Sequence, residues 1–201
     1  MRLSSEVELG RVTRGSVCAV VLFLAATAFA SAQQPNLNEF KNNLAPYVVT
    51  PPRAIDKMLE MANLKPGETL YDLGCGTGEI LVTAAKRYGV KAVGVEISEH
   101  LAKEAVQNAR EAGVANRVKV IHQDFMRTDL SDANVVTLYL ATDANDTLRP
   151  NLERFLKPHS RVVSYDYPIP GWKPIDTEEH LGHSGVTHQI YLYEVPDSIK
   201  K

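Results

Sequence analysis

The chain has 201 residues, 44% of them apolar and 23% charged, the composition of a globular protein long enough to bury one sizeable core. Against 24 acidic residues stand 22 basic ones, a formal net charge of −2, which excludes the basic footprint of a nucleic-acid-binding protein and leaves one domain as the expectation. Two cysteines, Cys18 and Cys75, lie in unrelated regions and make no disulfide framework.

Residues 1–32 read as a secretory signal peptide. Arg2, Arg11 and Arg14 precede an almost wholly apolar run from Val17 to Ala30, and Ala30-Ser31-Ala32 offers a small-residue cleavage site. The run is shorter than the roughly 20 residues that span a bilayer. Cleavage delivers an exported domain, periplasmic or secreted, and an uncut leader anchors that domain to the membrane. A misassigned start codon is the alternative that leaves the protein cytoplasmic.

Residues 33–51 form an N-terminal arm punctuated by prolines, with a short helix predicted over 37–44 and then Tyr47-Val48-Val49-Thr50-Pro51. Thr50 is placed to cap a first helix whose opening turn holds Pro51 and Pro52, and Ile55, Met58, Leu59 and Ala62 give that helix one apolar face. Lys65-Pro66-Gly67-Glu68 turns the chain into a buried strand, Thr69 to Leu73. The strand breaks into Gly74-Cys75-Gly76-Thr77-Gly78, and a helix from Glu79 to Tyr88 follows, closed by Gly89. The alternation continues with a strand at 92–97, a helix capped by Ser98 and running to about Ala112, and a third strand at 118–121. A fourth strand at 135–140, a helix at 143–156 and a fifth strand at 161–164 complete it. This is an α/β pattern, a mostly parallel sheet with helices on both faces. A weak strand near 173–177 and an alternating strand at 186–195 have no helix between them, so they end the sheet as an antiparallel hairpin. The domain is expected over 52–195, with 196–201 as a tail.

In such sheets ligands bind at the carboxyl ends of the strands. Candidate groups fall there in succession: Asp72 and the turn Gly74, Cys75, Gly76, Thr77 and Gly78; then Glu96 with Ile97; then Asp124 and Phe125. Glu96 lies 22 residues after Gly74 and suits the two hydroxyls of a ribose, while Asp124 suits an exocyclic amine and Phe125 the face of a purine. The ligand is therefore an adenosine compound. Glu79 stands where a dinucleotide fingerprint needs its third glycine, and a carboxylate there opposes a pyrophosphate. No Gly-Lys-Ser/Thr follows, so a P-loop is excluded. Asp72 instead suits a ligand with an ammonium group, and a cationic sulfonium fits these carboxylates better than a polyphosphate.

Those residues, Asp72-Leu73-Gly74-Cys75-Gly76-Thr77-Gly78 with Glu96 and Asp124-Phe125, resemble the class I S-adenosylmethionine-dependent methyltransferases over residues 66–165. The resemblance implies a Rossmann-like, seven-stranded sheet with its last strand antiparallel and S-adenosyl-L-methionine as cofactor. The flanks, Pro46-Tyr47-Val48-Val49-Thr50-Pro51 and Pro168-Ile169-Pro170-Gly171-Trp172-Lys173-Pro174, are similar to the lysine methyltransferases that act on the mitochondrial ATP synthase c subunit and the adenine nucleotide translocase. Cys75 and Thr77 depart from the Asp-Leu-Gly-Ser-Gly-Asp-Gly turn of that family. The resemblance implies a protein partner bearing the lysine, a membrane protein among the candidates; the charge balance and the lack of an Asn-Pro-Pro-Tyr-like signature after the fourth strand leave no nucleic-acid partner, and no metal is expected. A small-molecule methyltransferase and an exported binding module without catalysis are the alternatives.

Methyl transfer from a sulfonium is an in-line displacement governed by alignment, but a lysine, with an ordinary pKa of about 10.4, must first lose a proton. Tyr139, Thr142 and Asp166 lie at the strand ends where they can orient the nucleophile, and Tyr47, Thr50 and Tyr165 are the expected substrate contacts. Cys75 reads as a small packed residue, and Asn145-Asp146-Thr147 matches a glycosylation acceptor but falls where a helix begins. His180, His183 and His188 lack the partners and spacing of a metal site.

Overall fold

A computed structural model describes residues 47–182 and 185–199, all within one compact unit, 34–201. The leader and the short helix expected over 37–44 lie outside the described residues.

Seven strands form one sheet: β1 (Thr69–Leu73), β2 (Lys91–Glu96), β3 (Val118–His122), β4 (Val135–Leu138), β5 (Arg161–Tyr165), β6 (Asp176–Leu181) and β7 (Thr187–Glu194). Their order is β3-β2-β1-β4-β5-β7-β6. The first five are parallel, and β7 runs antiparallel between β5 and β6. This is the seven-stranded sheet with a reversed last strand that the resemblance implies. The order reverses between β1 and β4, so the crevice beyond their carboxyl ends is where a ligand is received.

The two-residue period of the strands divides the core into two layers. Leu70, Ala92, Val135, Val163 and Ile190 face α1 (Pro52–Ala62) and α2 (Glu79–Tyr88). On that same side α3 (Glu99–Glu111) packs its Ala109 beside Ala85 of α2. Val136, Leu138, Val162 and Tyr193 face the other way, against Leu148 and Leu152 of α4 (Thr142–Phe155) and Trp172. The expected face of α1 is buried, with Met58, Leu59 and Ala62 fully enclosed. Each of its large apolar side chains contributes about 1.5–3 kcal/mol. α2 ends on Gly89 in the left-handed conformation, and Ser98 caps α3 by accepting from the Leu101 N–H.

Local expectations are corrected at four points. Thr50 caps nothing: Pro51 holds the cap position of α1 and has no side-chain acceptor, so no side chain caps the helix. The sixth strand begins at Asp176 rather than Lys173, since Pro174 has no donor for the ladder. β4 ends at Leu138, and Leu140 turns in towards Gly74. The stretch read as a tail is tied into the domain as far as Ile199. Ser198 is fully buried, its carbonyl accepts from the Lys173 N–H at 2.8 Å, and Ile199 bridges to Trp172.

Candidate functional site

At the end of β1 the N–H groups of Gly74 and Cys75 both donate to the Val95 carbonyl, at 2.8 and 3.1 Å, which pins the turn to β2. Gly76 takes φ +52°, and a β-carbon there would lie 2.4 Å from the Tyr47 ring. Backbone conformation and close approach thus both require glycine at this point. The Tyr47 hydroxyl bonds the Thr77 hydroxyl at 2.8 Å; Thr77 in turn donates to the Glu79 carboxylate, which leaves Tyr47 as the donor. Asn108 of α3 donates to the Thr77 carbonyl at 2.9 Å. The arm is therefore fastened onto the turn itself. Thr50, buried, lines a cavity of about 330 Å³ with Val49, Ile55, Thr77, Glu79 and Asn108.

Cys75 turns its side chain into the core, where a β-carbon on Gly94 would meet its Sγ at 2.5 Å. Burial pushes its thiol well up, and Asp72 and Glu96 add to the effect. Of this predicted cofactor residue only the backbone can contribute to the site, and the thiol is not a nucleophile.

The Glu96 carboxylate is buried and clamped: one oxygen accepts from the Gly76 N–H at 2.8 Å and the other from the Ser98 N–H at 2.9 Å. A carboxylate has about four acceptor positions, so each oxygen keeps one beyond its backbone N–H. Asp72 is also buried and accepts from Thr137 at 2.8 Å. Burial pushes its carboxyl up to about 7 against the opposing Thr137 bond, and the charges of Glu79 and Glu96 raise it further. Carboxylates at 72, 79 and 96 thus converge on one turn, an arrangement that favours a cationic ligand.

At the neighbouring strand ends, Gln123 N–H donates to the Glu96 carbonyl at 3.0 Å and His122 Nε2 lies 3.0 Å from the Ile97 carbonyl. Asp124 accepts from the Met126 N–H at 2.9 Å, starting a single 3-10 turn, Phe125–Arg127. Phe125 packs, half-buried, against the α4-side core. The predicted Glu96, Ile97, Asp124 and Phe125 are therefore brought to adjacent strand ends.

Beyond β4 and β5 lies an aromatic wall. Tyr139 meets Tyr165 edge-on at 4.8 Å and stacks with Tyr167 at 6.3 Å. Burial raises the Tyr139 hydroxyl's pKa, and Asp166 and then Tyr167 raise it further. Tyr165 is fully buried, and among the described residues its hydroxyl has no hydrogen-bond partner. Asp166 holds His188 Nδ1 at 2.7 and 2.8 Å. Thr142, half-buried, is the first residue of α4 rather than a strand end.

A family model, the ANTKMT methyltransferase domain, matches residues 72–176. A protein-lysine N-methyltransferase from Saccharolobus islandicus is 42% identical over 75% of this chain and 93% of its own length. The chain belongs to the ANTKMT methyltransferase family. The adenine nucleotide translocase lysine N-methyltransferase of Mus musculus is 30% identical over 86% of this chain and 73% of its own. Among solved structures, an RNA methyltransferase from Salinibacter ruber in complex with S-adenosyl-L-homocysteine superposes with a TM-score of 0.72. It is 40% identical over 77% of this chain and 97% of that one.

For a member of the ANTKMT family, two features of the site escape sequence reading. Asn145, inside the glycosylation-like triplet, is fully buried and donates to the Tyr167 carbonyl at 3.0 Å, tying α4 to the exit of β5. His188 bonds a carboxylate 22 residues away, and only strand pairing reveals that partner. The alternation of β7, which puts His188 and Ile190 on the α1 side, was the available signal.

Proposed function

We propose that this S-adenosylmethionine-dependent methyltransferase methylates the Nζ of a protein lysine. The observation that carries the reading is the 42% identity, over nearly the full length of the relative, to a protein-lysine N-methyltransferase. The relative from Mus musculus, also a lysine methyltransferase by name, agrees.

The bound cofactor supplies an electrophilic methyl group on a cationic sulfur. The chain's own residues do the rest. Asp72 receives the ammonium of the amino-acid portion beside the backbone of Gly74, Gly76 and Gly78, Glu96 the ribose, and Asp124 with Phe125 the adenine. Tyr139, Thr142 and Asp166 orient the nucleophile. Tyr47 and Thr50 line its approach beside Thr77 and Glu79, which suits a side chain with a long apolar stem and a cationic head, while the buried Tyr165 backs Tyr139 from the core. Exposed Val48, Val49, Tyr167, Leu181 and Val186 belong to segments at the carboxyl edge of the sheet. These apolar side chains favour a membrane protein as the acceptor.

A second reading, RNA methylation, draws on the description of the Salinibacter ruber protein. The test is transfer of radiolabelled methyl from S-adenosylmethionine onto separated membrane proteins, RNA and low-molecular-weight extract. Label in protein, recovered as methyllysine after hydrolysis, is expected. Label confined to RNA or to small molecules would overturn the proposal. We also propose that the leader exports the domain, which fractionation of a tagged full-length chain tests: a cytosolic, uncut product contradicts it.

A further inference from the structure

The segment that leaves β4 runs along the cofactor turn. Thr137 donates to Asp72 at 2.8 Å, and a β-carbon on Gly74 would fall 3.3 Å from the Leu140 side chain. Strand alternation puts Tyr139, two residues past Thr137, on the face of the sheet where Thr137 meets Asp72. There it packs, half-buried, against the α1-side core. Its ring centroid lies 6.3 Å from that of Tyr167, with 27° between the planes. Burial and then Asp166 raise the pKa of the Tyr139 hydroxyl, which places that carboxylate beside the same ring.

Tyr167 is 39% exposed, yet its backbone is held at both the N–H and the carbonyl. The N–H donates to the Tyr165 carbonyl at 2.8 Å across Asp166, whose φ is +64°. That is a γ-turn of the rare, strained kind, which persists only where its surroundings enforce it. Here they do so from β7: the Asp166 N–H donates to the Gln189 carbonyl at 2.7 Å, and its carboxylate oxygens lie 2.8 and 2.7 Å from His188 Nδ1. On the other side the Tyr167 carbonyl accepts from Ser164 Oγ at 2.6 Å and from Nδ2 of the buried Asn145 at 3.0 Å. Pro168 narrows the backbone range of the residue before it as well. The fold thus fixes a ring that the core does not enclose, and a rigid, exposed ring is preorganised for contact with a ligand.

We propose that Tyr139 and Tyr167 receive the ε-ammonium of the acceptor lysine by cation–π attraction, which makes Tyr167 a specificity-determining residue of the acceptor site. This deepens the lysine reading above and rests on it. The negative faces of two phenol rings beside a carboxylate attract a cation in preference to a neutral group of the same shape. The same carboxylate opposes the phosphate of a nucleotide, so a lysine suits the pair better than a stacked RNA base does.

The experiment titrates the full-length chain, loaded with S-adenosylhomocysteine and carrying isotope-labelled tyrosine rings, with n-butylammonium, neutral n-butanol and adenosine monophosphate, read by NMR. Butylammonium should move the ring signals of Tyr139 and Tyr167, and butanol should bind about 3- to 30-fold more weakly. Tyr167→Leu should weaken butylammonium by the same factor and Tyr167→Phe by less than about threefold. Neither should change S-adenosylhomocysteine affinity, which is the check on folding. Methyllysine formation on membrane-fraction proteins should follow the same order at low acceptor concentration and converge at saturating acceptor, because the attraction acts in binding. A merely structural ring would not separate the cation from its neutral analogue. Butanol binding as tightly as butylammonium, or ring signals moved by adenosine monophosphate and not by butylammonium, would overturn the proposal and leave lysine methylation intact. Absence of methyllysine with the wild type would overturn the lysine reading and with it the identity given to the cation.

Discussion

Glu96→Gln is the most informative single change at the cofactor end. The native carboxylate accepts one N–H at each oxygen, from Gly76 and Ser98, inside a buried site. Glutamine keeps one acceptor and sets its amide N–H₂ against the other backbone N–H. That substitution removes a hydrogen bond to an ionised acceptor, about 1.5–3 kcal/mol, and leaves a buried donor unsatisfied. Stability should fall by about 1–3 kcal/mol, a few degrees in Tm for a chain of this size. The loss of a charged partner for the ribose hydroxyls should weaken S-adenosylmethionine binding by about 10- to 100-fold. Isothermal titration alongside thermal unfolding separates the two effects. If a folded Glu96→Gln protein binds within threefold of the wild type, the assignment of Glu96 to the ribose is wrong.

Asp72, with its carboxyl pushed up to about 7, makes the protein pH-sensitive in a defined direction. The folded state holds a proton that the unfolded state releases at lower pH, so this group's contribution to stability is lost as pH rises from about 4 to 7, by about 4 kcal/mol at most. Urea unfolding at pH 5 and pH 7.5 should show a fall of about 2.5 kcal/mol from this group in the wild type and a smaller one in Asp72→Asn, and equal falls would refute it. Gly76→Ala meets both an unfavourable φ and the Tyr47 ring, so it should cost about 1–3 kcal/mol in thermal unfolding and release the arm to limited proteolysis after residue 47. Asn145→Ala removes the bond to the Tyr167 carbonyl and should cost about 1–3 kcal/mol in chemical unfolding.

The order of elements was legible because burial writes a period into each segment. β-branched runs at 92–97 and 135–138 mark strands covered on both faces, and Gly89 and Ser98 mark helix ends. The gathering of Asp72, Glu96 and Asp124 at neighbouring strand ends was legible for a related reason. A class I turn keeps its carboxylates at the ends of successive strands, so their positions follow from strand boundaries alone. The acceptor end was less so. Its wall joins Tyr139, Tyr165, Asp166 and His188 across β4, β5 and β7, and those contacts depend on a register no local pattern encodes. Thr50 shows the limit of reading one residue at a time. A threonine before a helix suggests a cap, but Pro51 takes the cap position itself, and the Thr50 side chain lines a cavity instead. Cys75 fits its neighbour Gly94, a match visible only once β1 and β2 are paired.

The central claim is that a lysine Nζ of a protein receives the methyl group. The direct measurement uses S-adenosylmethionine carrying a heavy-isotope methyl, the full-length chain and membrane-fraction proteins, followed by tandem mass spectrometry of the acceptor peptides. The heavy methyl should appear on lysine side chains and fall at subsaturating cofactor with Glu96→Gln. Heavy methyl on nucleotides or on small molecules, with none on lysine, would contradict it.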